Sequence, residues 1–183
     1  MKEVFAITDL HVVETVQREF DGLYGLKVGA VWGLGLQLAL RISDLLNVKY
    51  SDITDGRLTI TESKTGKTAS IKLNSKALEI VAKLKENNPD DEYLFQATGN
   101  RVTTTKPFSR QYITKCFATV SDSLGLEIGT HSMRKSRGYH LYKQTNDITR
   151  VMKMLRHSSP SVTLRYIGIT QQDIDSDFDN LVL

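Results

Sequence analysis

Three short runs rich in β-branched residues, at 48–53, 57–61 and 69–73, are separated by Asp55-Gly56 and by Ser63-Lys64-Thr65-Gly66-Lys67-Thr68. Asp-Gly between apolar runs is a strong hairpin signal, because both residues accept the positive φ of a two-residue turn. The chain is therefore expected to hold a small three-stranded antiparallel sheet at about 48–73, with two lysines on its second turn. Most of the chain on either side has helical spacing, so the fold class is α+β, mostly α. The Gly66-Lys67-Thr68 end of that turn is not a phosphate loop, since that motif needs Gly at 61 and the chain has Thr61.

The first helix starts at Thr8 or Asp9 as cap and carries Leu10, Val13, Val16, Phe20 and Leu23 on one face. A second, at about 27–40, is apolar on most sides, with Trp32 and Leu36 in the core. Ser43-Asp44 is read as the cap of a short third helix, and taken by itself this segment makes Arg41 the ion-pair partner of Asp44. Further helices are expected at 76–85, at 109–124 with Tyr112, Ile113, Phe117 and Val120 inward, at 131–144 capped by Thr130, and from Asn146-Asp147 to about Arg156. Ser158 or Ser159 followed by Pro160 opens a last short helix, which carries Tyr166. At 171–183, Ile174, Phe178, Leu181 and Val182 form the apolar side of an acidic amphipathic tail.

Charge is distributed unevenly. Residues 101–170 hold 12 Lys and Arg against 3 Asp and Glu, while residues 171–183 hold four Asp and no base. That pattern points to a polyanion for the middle of the chain and a protein contact for the tail. One cysteine, Cys116, excludes a disulfide framework and fits a reducing cytosol. No apolar run reaches the length of a membrane span. The 183 residues suffice for one domain with a sizeable core.

Arg41, Lys64, His131, Arg134, His157 and Tyr166 are the polar candidates. His131 and Arg134 lie three apart on one helix, so both can address one anion. Two arginines offer planar forks to the non-bridging oxygens of a phosphodiester, and such preorganised donors are each worth roughly 3–4 kcal/mol of barrier. A phenol ionises near pH 10 when free, so a histidine must take its proton at neutral pH. A lysine on a hairpin can protonate a departing 5′ oxygen. This chemistry requires no cofactor and no metal.

The segments Leu40-Arg41-Ile42-Ser43-Asp44-Leu45, Ser63-Lys64-Thr65-Gly66, His131-Ser132-Met133-Arg134 and Leu155-Arg156-His157 through Tyr166 resemble, in order and spacing, the catalytic domain of tyrosine recombinases (phage integrases, Xer-type resolvases and fimbrial-switch invertases). The resemblance covers about residues 8–170, and Tyr166 follows His157 by the family's nine positions. It implies a helical catalytic domain of the DNA breaking-rejoining type. Tyr166 is then the nucleophile that forms a 3′-phosphotyrosyl link, with Arg41 and Arg134 clamping the phosphate and His157 hydrogen-bonding it. His131 is the proton acceptor and Lys64 the general acid, with Lys67 as the alternative acid, and Asp44 orients Arg41.

Arg156 stands where many relatives have Gly, and Lys135 where many have His. The resemblance also implies double-stranded DNA as partner, a homotetramer on that DNA, accessory directionality or DNA-bending proteins, and a cytoplasmic, nucleoid-associated location. Larger members carry an N-terminal DNA-clamping domain, so the chain is expected to be either an excised catalytic domain or a short form, with Met1 favouring the short form. The expected organisation is one catalytic domain over 1–183, its tail at 171–183 exchanged in trans or packed in cis. The rival readings are a nicking-closing enzyme like type IB topoisomerases and a non-catalytic DNA-binding regulator of the same fold.

Overall fold

The computed structural model describes residues 4–99 and 104–170, together with 173, 175, 179, 180 and 182. Its elements run α1 (Leu10–Tyr24), α2 (Leu26–Leu38), α3 (Ile42–Leu46), β1 (Ile53–Thr54), β2 (Arg57–Thr61), β3 (Thr68–Lys72), α4 (Ser75–Asn87), α5 (Arg110–Leu124), α6 (Ser132–Thr145), α7 (Ile148–Leu155) and α8 (Pro160–Ile167). The α+β, mostly helical reading holds.

Helix α2 is buried along most of its length and packs against α1, α4 and α6, which is why its sequence is apolar on nearly every side. Phe20 of α1, Trp32 of α2 and Phe117 of α5 meet at its centre, with ring centroids 4.7–6.1 Å apart. Asp9 caps α1 by accepting from the His11 amide, and Ser109 caps α5 through the Tyr112 amide.

The sheet has the order β1-β2-β3, antiparallel throughout, with Leu58 opposite Ile71 and Ile60 opposite Ala69. Asp55 (φ 51°) and Gly56 (φ 69°) form the predicted positive-φ turn. The first strand is shorter than expected. Residues 48–50 pair instead with 92–94, through Tyr50 N to Glu92 O and Leu94 N to Val48 O. Asp52 then turns the chain by accepting from the Lys49 amide, and only Ile53–Thr54 remain for the sheet.

Several local expectations are corrected. Arg41, not Ser43 or Asp44, precedes α3, because the Asp44 carboxylate is occupied by Ser63. Helix α6 begins one residue later than read, with His131 in place of Thr130 at its start. Tyr112 is exposed beside Phe108, since Ile113, Cys116, Phe117 and Val120 already fill the inner face of α5. In the tail, Val182 is exposed, while Ile174, Phe178 and Leu181 lie outside the described residues.

A second, smaller apolar cluster comprises Ala39, Val151, Leu155 and Ile167, with Tyr139, Leu141, Tyr142 and Ile148 packed around it. It joins α6, α7 and α8 beside the end of α2. The candidate site lies along this seam.

Candidate active site

Arg134 projects from α6 into that seam and is 2% exposed. Its two amino groups donate to the carbonyls of Ala39 and Leu155. Both carbonyls belong to the last turn or cap of a helix, α2 and α7, where backbone oxygens lack intrahelical donors and the helix dipole is negative. Burial lowers the Arg134 pKa, as the charges of Arg41 and Arg156 also do, but a guanidinium remains a cation. Two of its five N–H groups are engaged this way.

Arg41 sits in extended backbone just after the left-handed Ala39 (φ 50°) that stops α2. Its Nη1 is 3.2 Å from Glu62 Oε1 and 4.0 Å from Asp44 Oδ2. The pairing read from the local segment is thus the weaker of two contacts. Glu62, fully buried, was not singled out by the sequence. Asp44 accepts from the Ser63 amide at 2.9 Å and the Ser63 hydroxyl at 2.6 Å, and Glu62 Oε2 accepts from Thr65. Asp44 thereby fastens the base of the lysine hairpin to the helix that follows Arg41, while Glu62 braces the hairpin from within.

Tyr166 comes from α8, whose N-cap Ser159 and Pro160 match the reading. Its hydroxyl is 3.2 Å from His131 Nδ1. The His157 ring meets the Tyr166 ring edge-on with centroids 5.0 Å apart, and Lys135 lies 5.4 Å from the same ring. Burial raises the phenol pKa, and the charges of Arg134 and Arg41 oppose that rise. The resting tyrosine is therefore neutral. Burial lowers the pKa of both His131 and His157, and the nearby arginines lower it further. A neutral His131 can accept the phenol proton on Nδ1.

His157 Nδ1 lies 3.2 Å from Thr163 Oγ1, and that hydroxyl donates to Ser159 O at 2.7 Å. The hydroxyl proton being committed, Thr163 accepts from His157 Nδ1–H, an assignment made from the hydrogen-bond network. The lone pair of the neutral ring is then on Nε2. Donation to an oxyanion from Nε2 requires the imidazolium, which an incoming negative charge would favour.

Arg41, His131, Arg134, His157 and Tyr166 are thus gathered within mutual electrostatic range. Lys64 and Lys67 are not: both are exposed on the hairpin, and Lys64 makes no hydrogen bond or ion pair with a described residue. Among the described residues no cluster of potential metal ligands occurs, and no helix is long and apolar enough to cross a membrane.

These pKa shifts predict a pH dependence of the DNA-free fold. With both folded histidine pKa values below 6.5, the unfolded chain binds more protons in the interval beneath that value. Stability is full above about pH 6.5, falls as pH drops from there toward the lowered values, and levels off below them. Thermal melts should show a loss of stability between about pH 6.5 and 5, flattened in a His131→Asn/His157→Gln double variant. A melting temperature that holds or rises over that interval would contradict the assignment of neutral histidines.

The phage integrase family matches residues 25–173. A probable integrase/recombinase, YoeC of Bacillus subtilis (strain 168), is 40% identical over 139 residues, which is 75% of each chain. Among solved structures, XerA recombinase superposes with a TM-score of 0.74 at 14% identity, covering 98% of this chain and 64% of that one. A lambda integrase(75-356) dimer bound to a COC′ core site superposes with a TM-score of 0.73 at 20% identity, covering 92% and 61%. The chain spans less than two thirds of both structural neighbours. With the matched segment reaching from the start of α2 past Tyr166, the chain belongs to the phage integrase family.

Proposed function

We propose that this chain is a site-specific DNA recombinase that cleaves and rejoins double-stranded DNA through Tyr166. The observation that carries the reading is the phenol 3.2 Å from His131 Nδ1, beside two buried or half-buried arginines. In the proposed step the Tyr166 oxygen bonds to the scissile phosphorus, and the bond from phosphorus to the 5′ oxygen breaks. His131 takes the phenol proton, and the 5′ oxygen leaves with a proton from Lys64. Arg41 and Arg134 bind the non-bridging oxygens as charge develops on them, and His157, protonated as the phosphate arrives, adds a third donor. Lys64 reaches the leaving group only if its hairpin swings toward bound DNA; Lys67 shares that hairpin.

Exchange between two duplexes cuts four strands, so four copies would assemble on DNA, the acidic tail at 171–183 being the proposed contact between neighbours. Residues 1–183 would form one catalytic domain, working in the cytoplasm with accessory bending or directionality proteins. If DNA is gripped mainly through phosphates, affinity should fall steeply with salt.

A duplex nicked just beyond the cleavage site, which traps the intermediate, tests the reading. The wild-type chain should form a covalent protein–DNA adduct that maps to Tyr166, and Tyr166→Phe should form none. Absence of a wild-type adduct would favour the non-catalytic regulator instead. Relaxation of supercoiled plasmid without exchange between two sites would favour the nicking-closing enzyme.

A further inference from the structure

Arg156 is the residue after α7, in left-handed backbone with φ 53°. Its amide closes the helix by donating to Lys153 O, and the His157 amide does so by donating to Met152 O. Glycine makes the same two bonds without the Cβ crowding that a left-handed residue suffers, so the cap alone gives no reason for an arginine. The side chain gives one. Its Nη1 lies 2.9 Å from Glu62 Oε1, the same oxygen that Arg41 Nη1 approaches at 3.2 Å.

We propose that Arg156 is a positioning residue for Arg41, acting through Glu62. By neutralising the buried carboxylate it leaves the Arg41 guanidinium free to bind the scissile phosphate. This rests on the phosphodiester-cleavage reading given above.

The local charge makes the case. Arg41 alone would face two buried carboxylates, Glu62 and Asp44, whose other partners are the neutral donors Thr65 and Ser63. Without Arg156, Arg41 and Arg134 together only cancel the two carboxylates and leave the pocket neutral where an anion must enter. Arg156 balances the second carboxylate, and the charge of Arg134 then remains in excess. The contacts are also loose in the way this role requires. Arg41 Nη1, Arg156 Nη1 and Glu62 Oε1 are buried and within ion-pair range, yet none is aligned in a hydrogen bond. Arg41 is held close by charge alone, and its side chain stays 20% exposed to an incoming acceptor. Burial keeps water from screening these charges.

Single-turnover cleavage of the nicked duplex at saturating protein, with thermal melts alongside, tests the inference. Arg156→Gln removes the charge but keeps a side chain in the left-handed position; Arg156→Gly also relieves the backbone. Both should lower the cleavage rate about 10- to 100-fold, with Arg156→Gly melting close to the wild type. Arg156→Lys should retain most of the rate. Adding Glu62→Gln to Arg156→Gln should restore most of what was lost, because the carboxylate that captures Arg41 is gone. Binding of orthovanadate, a phosphate-shaped anion, read by thermal shift, should follow the same pattern without any chemistry: weaker in Arg156→Gln and recovered in the double variant.

Unchanged cleavage in Arg156→Gln would overturn the proposal. So would a loss that Glu62→Gln does not relieve, since Arg156 would then be acting on the fold alone. If the wild type forms no adduct, the cleavage reading fails, and the orthovanadate series still decides whether Arg156 frees Arg41 for an anion.

Discussion

Arg134→Ala should unfold the chain at markedly lower denaturant, losing about 3–5 kcal/mol of stability. The guanidinium is 2% exposed and satisfies the carbonyls of Ala39 and Leu155. Truncation leaves two backbone acceptors buried without donors, each worth about 1–3 kcal/mol, and adds a cavity. Arg134→Lys separates folding from chemistry. One ammonium keeps the charge but cannot span both carbonyls and also present a planar fork to phosphate. That variant should fold with a smaller loss and cleave the nicked duplex about 10²–10³-fold more slowly. Urea titration and adduct formation measure the two effects separately. A lysine variant that cleaves within a few-fold of the wild type would remove Arg134 from the phosphate clamp.

Arg134 also explains why the site forms at all. It hydrogen-bonds to the cap of α2 and the last turn of α7, and α8 packs on both α6 and α7. Docking these helices brings residues distant in sequence to one point. The sequence could supply the residue types, because His131, Arg134, His157 and Tyr166 occur at spacings with a chemical meaning. It could also supply the hairpin, because Asp55-Gly56 has few other uses. Glu62 was not legible there. It reads as one more polar residue at a strand end, and only the packing of the hairpin against α3 makes it a buried counter-ion shared by Arg41 and Arg156. The capping role given to Asp44 was misread for the same reason: its hydrogen-bond partner Ser63 lies 19 residues further along the chain. Arg156 could be read only as a departure from the relatives' glycine, since its left-handed backbone cannot be seen in a string of letters. The shortening of the first strand likewise depends on residues 92–94, far along the chain.

The close approach of α6 and α8 yields the other large effect, at a glycine that the sequence left unremarked. A Cβ on Gly138 would stand 2.7 Å from Ile167 Cγ2, 3.2 Å from Leu155 Cδ1 and 3.5 Å from Val151 Cγ1. Ile167 is fully buried and is the residue after Tyr166 on α8. Its Cγ2 methyl sits on the branched Cβ of a fully buried side chain, not at a flexible end, so Gly138→Ala is expected to push α8 outward. The helix gains about 1 kcal/mol of propensity from alanine, against about 1–3 kcal/mol of overpacking, for a modest net loss of stability. Cleavage should suffer far more. Moving the phenol by about 1 Å relative to His131 and the arginines can cost about 10²-fold in rate. Gly22→Ala is the matching control: it lies in α1 with nothing within 4 Å of the added methyl. That change should stabilise the fold by about 0.5–1 kcal/mol and leave cleavage untouched. If Gly138→Ala instead cleaves at the wild-type rate, the nucleophile does not depend on how α8 seats against α6, and the rigid delivery of Tyr166 by this packing is wrong.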